Sequence, residues 1–428
     1  MRLTTILAIT WLTAGLITGC NNTSTKTSDT NDGLEITYVN PDDKSDVLFI
    51  SEMFCDLELI PLETTENSLI GEISRILIHD EKIFILDEDV SESVLVFNMD
   101  GSFKYKISAS GNGPNEYTSP PEDMFIDSDN NQLILITEDI MFFDADNGSF
   151  IKRIQPHTTG YISFIRQDVY AYYSFFTNYS SENQKYNLSI QNNDSTHRYL
   201  PIQNYLLNKD LVRPMFPFHS YNYNGDVFFT EKYNDTVYHI TPDMLKPMRY
   251  IDFGKYKITE SELSGIARAD NTNNLKYMFM SGNSSYAGDI SLYAETPYYY
   301  YFNYSYKGAV YDFLFNKSTG KTFHSNATHD DIAFSLLPGN FIFAGNKYLV
   351  SYMDVIDFKN EEFKAAFDAF KTDIRSGEYG DKTEYLKQRL EIYESKYKSV
   401  ISNIEQRKSD EDNPVLVIYR LKIEETEA

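Results

Sequence analysis

The stretch GNGPNEY at residues 111–117 has residue types that could perform chemistry, because glycine-rich loops let backbone N–H groups approach a phosphate. A dinucleotide-binding loop would need a third glycine where Glu116 stands, and a P-loop would need Gly-Lys-Ser/Thr. The stretch lies between two predicted strands, where glycine and proline supply the backbone of a turn. We predict a structural connection; the alternative is a ligand contact through Asn115, Glu116 or Tyr117.

The sequence contains no complete metal-binding motif. The segment DSDNN at residues 127–131 resembles the start of a calcium loop, but Gln132 stands where the sixth-position glycine is required. A turn rich in Asp and Asn explains the segment better. No pair of histidines has the spacing of a zinc motif. The seven histidines are His79, His157, His197, His219, His239, His324 and His329. We predict no metal ligands and no cofactor; the alternative is a site whose ligands come from several separate strands.

Nucleophilic chemistry has little support in the sequence. There is no GxSxG motif, and Cys55 precedes a predicted strand, where we expect a packing residue. We therefore predict no catalytic residues.

The most aromatic stretch, TPYYYYFNYSY at residues 296–306, alternates along a strand and would place its rings in a core. The alternative is a surface on which sugar rings or a peptide would stack.

The elements that would position these residues are short strands separated by Asn, Asp and Gly. Strand patterns fill residues 73–108 and return over 123–154, so that Gly148 corresponds to Gly101, 47 residues earlier. A four-stranded unit repeated at this spacing is typical of a β-propeller blade. Later units cover 161–202, 225–254, 290–323 and a last unit that begins at 340. We predict an all-β, six-bladed β-propeller over residues 51–428.

The last unit is interrupted by residues 360–407, whose apolar positions recur at helical spacing and predict a helical hairpin. The strand pattern resumes at residues 413–423. The stretch LELIPLET at 57–64 stands apart before the first unit, and we expect it to complete the last sheet. Residues 57–62 should pair with 414–422, and the hairpin should lie outside the sheet as a candidate binding surface.

The first residues predict export. An apolar run follows Arg2, and small residues precede Cys20, as in the cleavage site of a bacterial lipoprotein. We expect a signal peptide over residues 1–19, lipidation of Cys20 by palmitate-type acylation, and a polar, flexible tether over residues 20–50. An ordinary secretory signal with a chance cysteine is the alternative. If Cys20 carries lipid, the other cysteine has no partner for a disulfide.

The formal net charge of −25 argues against nucleic acid as a partner, because an acidic surface repels phosphates.

Five stretches together resemble the six-bladed β-propeller lipoproteins of Bacteroides, a family distantly similar to NHL-repeat propellers. They are LELIPLETTENSLIGEI, VFNMDGSF, GNGPNEY, NDTVYHI and DNPVLVIYRLKI. The resemblance implies a fold and a location, the periplasmic face or the surface of a Gram-negative cell envelope, but it implies no established activity.

We expect a non-catalytic, membrane-anchored protein that binds a protein partner, a glycan or a peptide at the channel mouth and the hairpin. The alternative is a hydrolase or lyase acting on a glycan or peptide through channel-mouth carboxylates. An enzyme should bring several Asp, Glu or His side chains with perturbed pKa values together at one mouth. A binding protein should show an aromatic or apolar patch there instead.

Overall fold

The structure is a computed structural model that describes residues 27–29, 33–44, 48–158, 160–177, 186–193, 195–209, 211, 218–220, 226–269, 275–335, 341–407, 409 and 411–423. The predicted signal peptide and Cys20 lie outside these residues. Within the described part of the chain, no helix is long and apolar enough to cross a bilayer.

The strands are arranged in six sheets of four or more strands and one parallel pair within the described residues. Sheet 1 contains β5 (Arg75–His79), β6 (Lys82–Asp87), β7 (Ser93–Asn98) and β8 (Phe103–Ile107). Sheet 2 contains β9 (Asp123–Asp127), β10 (Gln132–Ile136), β11 (Ile140–Asp144) and β12 (Phe150–Ile154). Sheet 3 contains β13 (Tyr161–Arg166), β14 (Val169–Tyr173), β15 (Tyr186–Gln191) and β16 (Thr196–Pro201).

The later sheets recruit strands from the N-terminal part of the chain. Sheet 4 contains β17 (Phe218–Ser220), β18 (Val227–Thr230), β19 (Thr236–Ile240) and β20 (Leu245–Asp252), extended by β2 (Glu35–Tyr38) and β1 (Thr27–Asp29). Sheet 5 contains β21 (Ala287–Glu295), β22 (Tyr299–Tyr306), β23 (Ala309–Asn316) and β24 (Lys321–Ser325). Sheet 6 contains β26 (Phe343–Ala344), β27 (Tyr348–Met353), β28 (Val415–Leu421) and β4 (Phe54–Pro61). The parallel pair is β3 (Leu48–Phe49) with β25 (Thr328–His329).

Helices occupy the connections. They are α1 (Ile50–Met53), α2 (Glu260–Arg268), α3 (Val355–Lys359), α4 (Glu361–Ser376), α5 (Thr383–Ile392) and α6 (Lys398–Glu405), with 3-10 turns at Gly254–Tyr256 and Gly380–Lys382 and a π turn at Tyr393–Tyr397. The N-terminus of α2 has the capping box that its sequence TESE indicates, because Thr259 and Glu262 each satisfy the other's backbone N–H.

The sheets pack face to face in chain order, because alternate residues of each strand point to opposite neighbours. In β10, Leu133 and Leu135 pack in a cluster with sheet 1, whereas Ile134 packs in a cluster with sheet 3. Further clusters join sheet 3 to sheet 4, sheet 4 to sheet 5 and sheet 5 to sheet 6. The cluster of sheets 1 and 2 also contains Phe343 and Val350 of sheet 6. The last sheet therefore packs against the first.

The predicted pairing between the N-terminal and C-terminal strands is confirmed. Strand β28 pairs antiparallel with β4, from Val415 opposite Pro61 to Arg420 opposite Asp56. Strand β4 lies at the outer edge of sheet 6, as its isolated position before the first sheet suggested. Without it, the almost fully buried β28 would present a free hydrophobic edge.

The predicted tether over residues 20–50 is wrong for the described residues of that range. Strand β2 pairs in parallel with β20, and Thr37 and Val39 are buried against sheets 4 and 5. The chain then continues into β3 and α1, which belong to the core shared by sheets 5 and 6. The sequence around β2 is mostly polar. Its four residues, EITY, contain too few apolar positions to be recognised as a strand from the sequence alone.

The helical insertion between β27 and β28 is confirmed, and its apolar stripe is satisfied by the protein itself. We call residues 355–405 the hairpin. Phe370, Ile374, Leu386 and Leu390 are buried in the same cluster as β4. The π turn reaches the free edge of β4, where the backbone N–H of Leu57 donates to Tyr397 Oη at 3.2 Å. The hairpin therefore covers the edge of sheet 6, and its mainly polar outer side, which also exposes Ile356, Tyr385 and Ile392, is available to a partner.

Candidate functional site

The GNGPNEY loop is a structural connection between β8 and β9, as predicted. Tyr117 is fully buried, its backbone N–H donates to Ala109 O at 2.8 Å, and its hydroxyl donates to Glu92 O at 2.6 Å. The tyrosine thus ties the loop to the β6–β7 connection. A ligand contact through Tyr117 is excluded by its burial.

The glycines of this loop make room for a carboxylate. The Gly113 N–H donates to Glu116 Oε2 at 2.7 Å. A Cβ atom on Gly111 would lie only 2.1 Å from the same oxygen. Glu116 is therefore engaged inside its own loop, and its backbone carbonyl accepts a hydrogen bond from Arg153.

Beside this loop, four carboxylates gather where sheets 1 and 2 meet. Glu88 and Asp89 follow β6, and Glu122 and Asp123 lie at the start of β9. Burial, together with the negative charges of Asp89, Glu122 and Asp123, raises the pKa of Glu88 to about 7. No hydrogen bond to the Glu88 carboxylate is seen from the described residues. Glu88 could therefore exchange a proton near neutral pH.

Asp123 is already engaged by a cation. Arg75, at the start of β5, forms an ion pair with Asp123, and its guanidinium carbon lies 5.0 Å from the centre of the Phe125 ring. Burial raises the pKa of Asp123 despite this partner. Glu88, in contrast to Asp123, has no cationic partner among the described residues.

Other carboxylates with a raised pKa are dispersed and held by their own neighbours. Burial raises the pKa of Glu231 to about 7 although Asn187 and Asn234 donate to it. Burial likewise raises the pKa of Asp312 to about 6, where Tyr301 donates. These residues lie on sheets 4 and 5, far along the chain from Glu88. Their surroundings explain them as buried structural groups.

Two further carboxylates with a raised pKa, Asp331 and Asp235, are also buried and distant along the chain from Glu88. Burial raises the pKa of Asp331 to about 6, and both the backbone and the hydroxyl of Ser51 donate to it. Burial raises the pKa of Asp235 to about 7, at the turn into β19. Asp331 thereby fixes α1 to the segment that follows sheet 5.

The histidines do not form a metal site within the described residues, where no group of three His, Cys, Asp or Glu side chains could hold an ion. His324 is buried between Tyr304, whose Oη lies 2.7 Å from its Nε2, and the Asp43 carbonyl, 3.1 Å from its Nδ1. His239 contacts Asp226 at 2.9 Å. The 127–131 segment is a turn in which Asp127 accepts from the backbone and side chain of Asn130.

The tyrosine-rich strand β22 packs inside the protein. Tyr299, Tyr300, Tyr301 and Tyr304 are each at most 1% exposed. A stacking surface for sugars or peptides cannot be formed from these rings, so the core-packing interpretation holds.

A buried arginine is the largest polar feature that sequence reasoning missed. Arg249 of β20 is 0% exposed, and its Nη2 donates to Glu295 Oε1 at 3.0 Å. Its Nη1 donates to Thr37 Oγ1 at 3.1 Å, and Glu35 lies 2.5 Å from Nη2. The guanidinium carbon also stacks 3.8 Å from the centre of the Tyr300 ring. This group joins β2 to sheets 4 and 5.

Cys55 is exposed, so the expectation that it packs in a core is wrong. It lies on the outer strand β4, at the rim of a cavity of about 520 Å³ between sheets 5 and 6. Four basic side chains line the same cavity.

A second, more open cavity of about 660 Å³ is lined by polar residues of the 203–205 segment and of α2.

Comparison with known proteins identifies a family. The sequence matches, over residues 36–420, the family described as "Domain of unknown function (DUF4934)". The chain belongs to the DUF4934 family. No curated protein matches the sequence.

One solved structure shares the fold of this chain, and two others are similar only in part. A protein assigned as exported, from Bacteroides fragilis NCTC 9343, is similar with a TM-score of 0.65 and 19% identity, covering 90% of this chain and 99% of that one. The β-propeller domain of the Trilobed protease from Pyrococcus furiosus has a TM-score of 0.33 and 10% identity, covering 65% and 75%. An extracellular domain of an assigned one-component system from B. thetaiotaomicron has a TM-score of 0.31 and 13% identity, covering 65% and 30%.

Proposed function

We propose that this DUF4934 protein is a six-bladed β-propeller of the Bacteroides lipoprotein type, anchored to the cell envelope through lipid on Cys20, which binds a ligand or partner without catalysis. Support for the ring comes from the hydrophobic clusters that join each sheet to the next and sheet 6 to sheet 1. Support for the anchor is the sequence before Cys20.

The dispersal of the carboxylates carries the proposal that the protein does not catalyse. The carboxylates whose pKa is raised to about 7, Glu88, Glu231 and Asp235, do not come together at one site, and Glu231 is held by amide donors. Glycan hydrolysis ordinarily requires two carboxyl groups at a defined separation around one bond. A protein partner, a glycan or a peptide would bind at the loops around Glu88 and at the polar side of the hairpin.

A soluble form that begins after Cys20 tests this proposal. It should bind at least one member of a glycan or peptide library and leave the bound molecule chemically unchanged after prolonged incubation. Exchanging Glu122 for Lys beside Glu88 should weaken that binding, whereas exchanging the exposed Lys246 for Glu on β20 of sheet 4 should not. Turnover of any bound glycan or peptide would overturn the non-catalytic assignment.

One observation favours the hydrolase or lyase alternative. A half-buried Glu88 with a pKa of about 7 beside three other acids has the protonation behaviour of a general acid or base. If turnover is found, Glu88→Gln should abolish it while binding persists, and the wild-type rate should change near pH 7. Turnover that is unchanged in Glu88→Gln would remove Glu88 from the mechanism.

The lipid anchor has its own test. Cys20→Ala should move the protein from the membrane fraction to the soluble fraction, because a single thiol carries the lipid. Metabolic labelling with a fatty acid should disappear in the same variant. Membrane association that persists without Cys20 would contradict the anchor.

A further inference from the structure

The cavity between sheets 5 and 6 concentrates positive charge in an acidic protein. Its charged lining consists of Lys321, Lys347, Arg420, Lys422 and Glu52. The whole chain has 63 acidic residues against 38 lysines and arginines, so four bases against one acid reverse the local balance. Such a reversal attracts anions to one place on a surface that otherwise repels them.

Most of these cations lack an acidic partner within the described residues. No ion pair to Lys321, Lys347 or Lys422 is seen there, whereas Arg420 pairs with Glu58 at 2.5 Å. Glu52 is occupied by Lys382 at 3.1 Å. Lys347 stacks its ammonium 4.5 Å from the centre of the Tyr298 ring, which leaves its charge uncompensated. The positive potential is therefore available to a ligand.

The cavity wall is held by backbone hydrogen bonds. The N–H of Leu421 donates to Lys347 O at 3.0 Å, and the N–H of Lys422 donates to Met53 O at 2.9 Å. Asn316 Nδ2 donates to Lys422 O at 2.5 Å, joining sheet 5 to the end of β28. The strand ends that carry the cavity's side chains are thereby fixed relative to one another.

The lining also has an apolar part, formed by Phe323, Leu421 and Ile423. A volume of about 520 Å³ suits a small organic molecule. We propose that this cavity binds a small organic anion that carries two or more carboxylates on an apolar body. The site is separate from the surface of the proposed function, and neither depends on the other.

The carboxylates could come from two sources. One is a free small molecule, and the other is the sequence that follows Ile423, which is EETEA and contains three glutamates. Both sources offer the same chemistry to the lysines. A form of the protein that ends at Ile423 separates them.

Cys55 supplies a local probe of the cavity, because it is the only cysteine in a soluble form that begins at residue 21. The dianionic aromatic disulfide 5,5′-dithiobis(2-nitrobenzoate) and the neutral 2,2′-dithiodipyridine would each react with its thiol. We expect the ratio of the two rates, anionic over neutral, to exceed that of free cysteine about tenfold at low salt. The excess should vanish at high salt, where charges are screened.

Charge reversal assigns the effect to the cavity. Lys321→Glu and Lys347→Glu, both at exposed positions, should each lower the rate ratio. The control is Lys104→Glu on sheet 1, which changes the net charge by the same amount and should leave the ratio unaltered. The neutral reagent reports whether Cys55 remains accessible in each variant. Equal ratios in all three variants would overturn the proposal.

Binding itself is tested with isophthalate, an aromatic dicarboxylate, against benzamide as the neutral control. Isophthalate should protect Cys55 from the neutral reagent, and Lys321→Glu should weaken protection at least tenfold. Protection in the full chain assigns the site to a free anion, and protection only in the form ending at Ile423 assigns it to the chain's own glutamates. Absence of protection in both forms overturns the proposal.

Discussion

The N-terminal part of the chain adds β4 to sheet 6 and β2, followed by β1, to sheet 4, and the attachments of β4 and β2 are held by different forces. Strand β4 joins sheet 6 in antiparallel register through seven residue pairs. Strand β2 joins sheet 4 in parallel register through four. Both cover an outer strand that would otherwise have an open edge.

The attachment of β4 is hydrophobic. Phe54, Leu57 and Ile60 are nearly fully buried, and the hairpin covers the remaining edge. The attachment of β2 depends on polar contacts, because Thr37 is its only fully buried residue and faces the Arg249 guanidinium. Burial of apolar area stabilises the attachment of β4. The attachment of β2 is maintained because detaching it would leave a buried charge without its partners, which is energetically unfavourable.

The largest effect should follow from deleting residues 54–61, which removes β4. Burial of β28 and of the hairpin would be lost together, so we expect a protein that aggregates and lacks a cooperative thermal transition. Size-exclusion chromatography and thermal circular dichroism measure both outcomes.

The matched comparison is a soluble form that begins at Val39 and so lacks β2. This form should stay folded, keep the wild-type elution volume apart from its smaller mass and show a lowered thermal midpoint, because sheet 4 keeps its four antiparallel strands. If the two deletions had equal effects, the distinction between the two edges would fail.

A smaller effect should follow from Arg249→Ala. The substitution leaves Glu295, which is 14% exposed, without its main partner in a buried setting. Removing one member of a buried ion pair typically costs about 3–5 kcal/mol. Urea denaturation of the soluble form would measure the loss, and a cost below about 1 kcal/mol would mean that Arg249 is not what holds this region.

The sequence predicted the β4 edge because its apolar residues form a recognisable strand that lacked a partner, and it predicted the hairpin because helical spacing recurs over residues 363–404. It could not predict β2, whose four residues lie in a polar stretch, or the burial of Arg249, which depends on residues 212 positions away. The candidate sites could not be predicted from the sequence either, because their residues come together only in the folded structure. Glu88 acquires its raised pKa from burial and from carboxylates that include Glu122 and Asp123, and Lys321, Lys347 and Lys422 come together in the basic cavity only after folding.

Within the β2 edge, Thr37→Val should cost about 1–3 kcal/mol, because valine leaves the Arg249 Nη1 donor unpaired inside the protein. Glu35→Gln should cost less than about 1 kcal/mol, because the Glu35 side chain is 46% exposed. Urea denaturation of both variants would rank the two contacts. The opposite ranking would show that Glu35, rather than the buried hydroxyl, holds Arg249.

The smallest effect is a difference in pH dependence between the two edges. Burial alone would raise the pKa of Glu295, but Arg249 and Lys317 outweigh it and hold that pKa below its ordinary value of 4.5. A carboxylate with a depressed pKa contributes stability above pH 4.5, and that contribution is lost as the pH falls through its folded pKa.

In Arg249→Ala, protonation of Glu295 at low pH relieves the unpaired charge. The destabilisation caused by Arg249→Ala should therefore shrink between pH 6 and pH 4. The destabilisation caused by Leu57→Ala, in the β4 edge, should stay constant, because only apolar contacts are lost. Thermal midpoints of both variants against wild type at pH 4, 5 and 6 provide the measurement, and parallel behaviour of the two would contradict a polar attachment for β2.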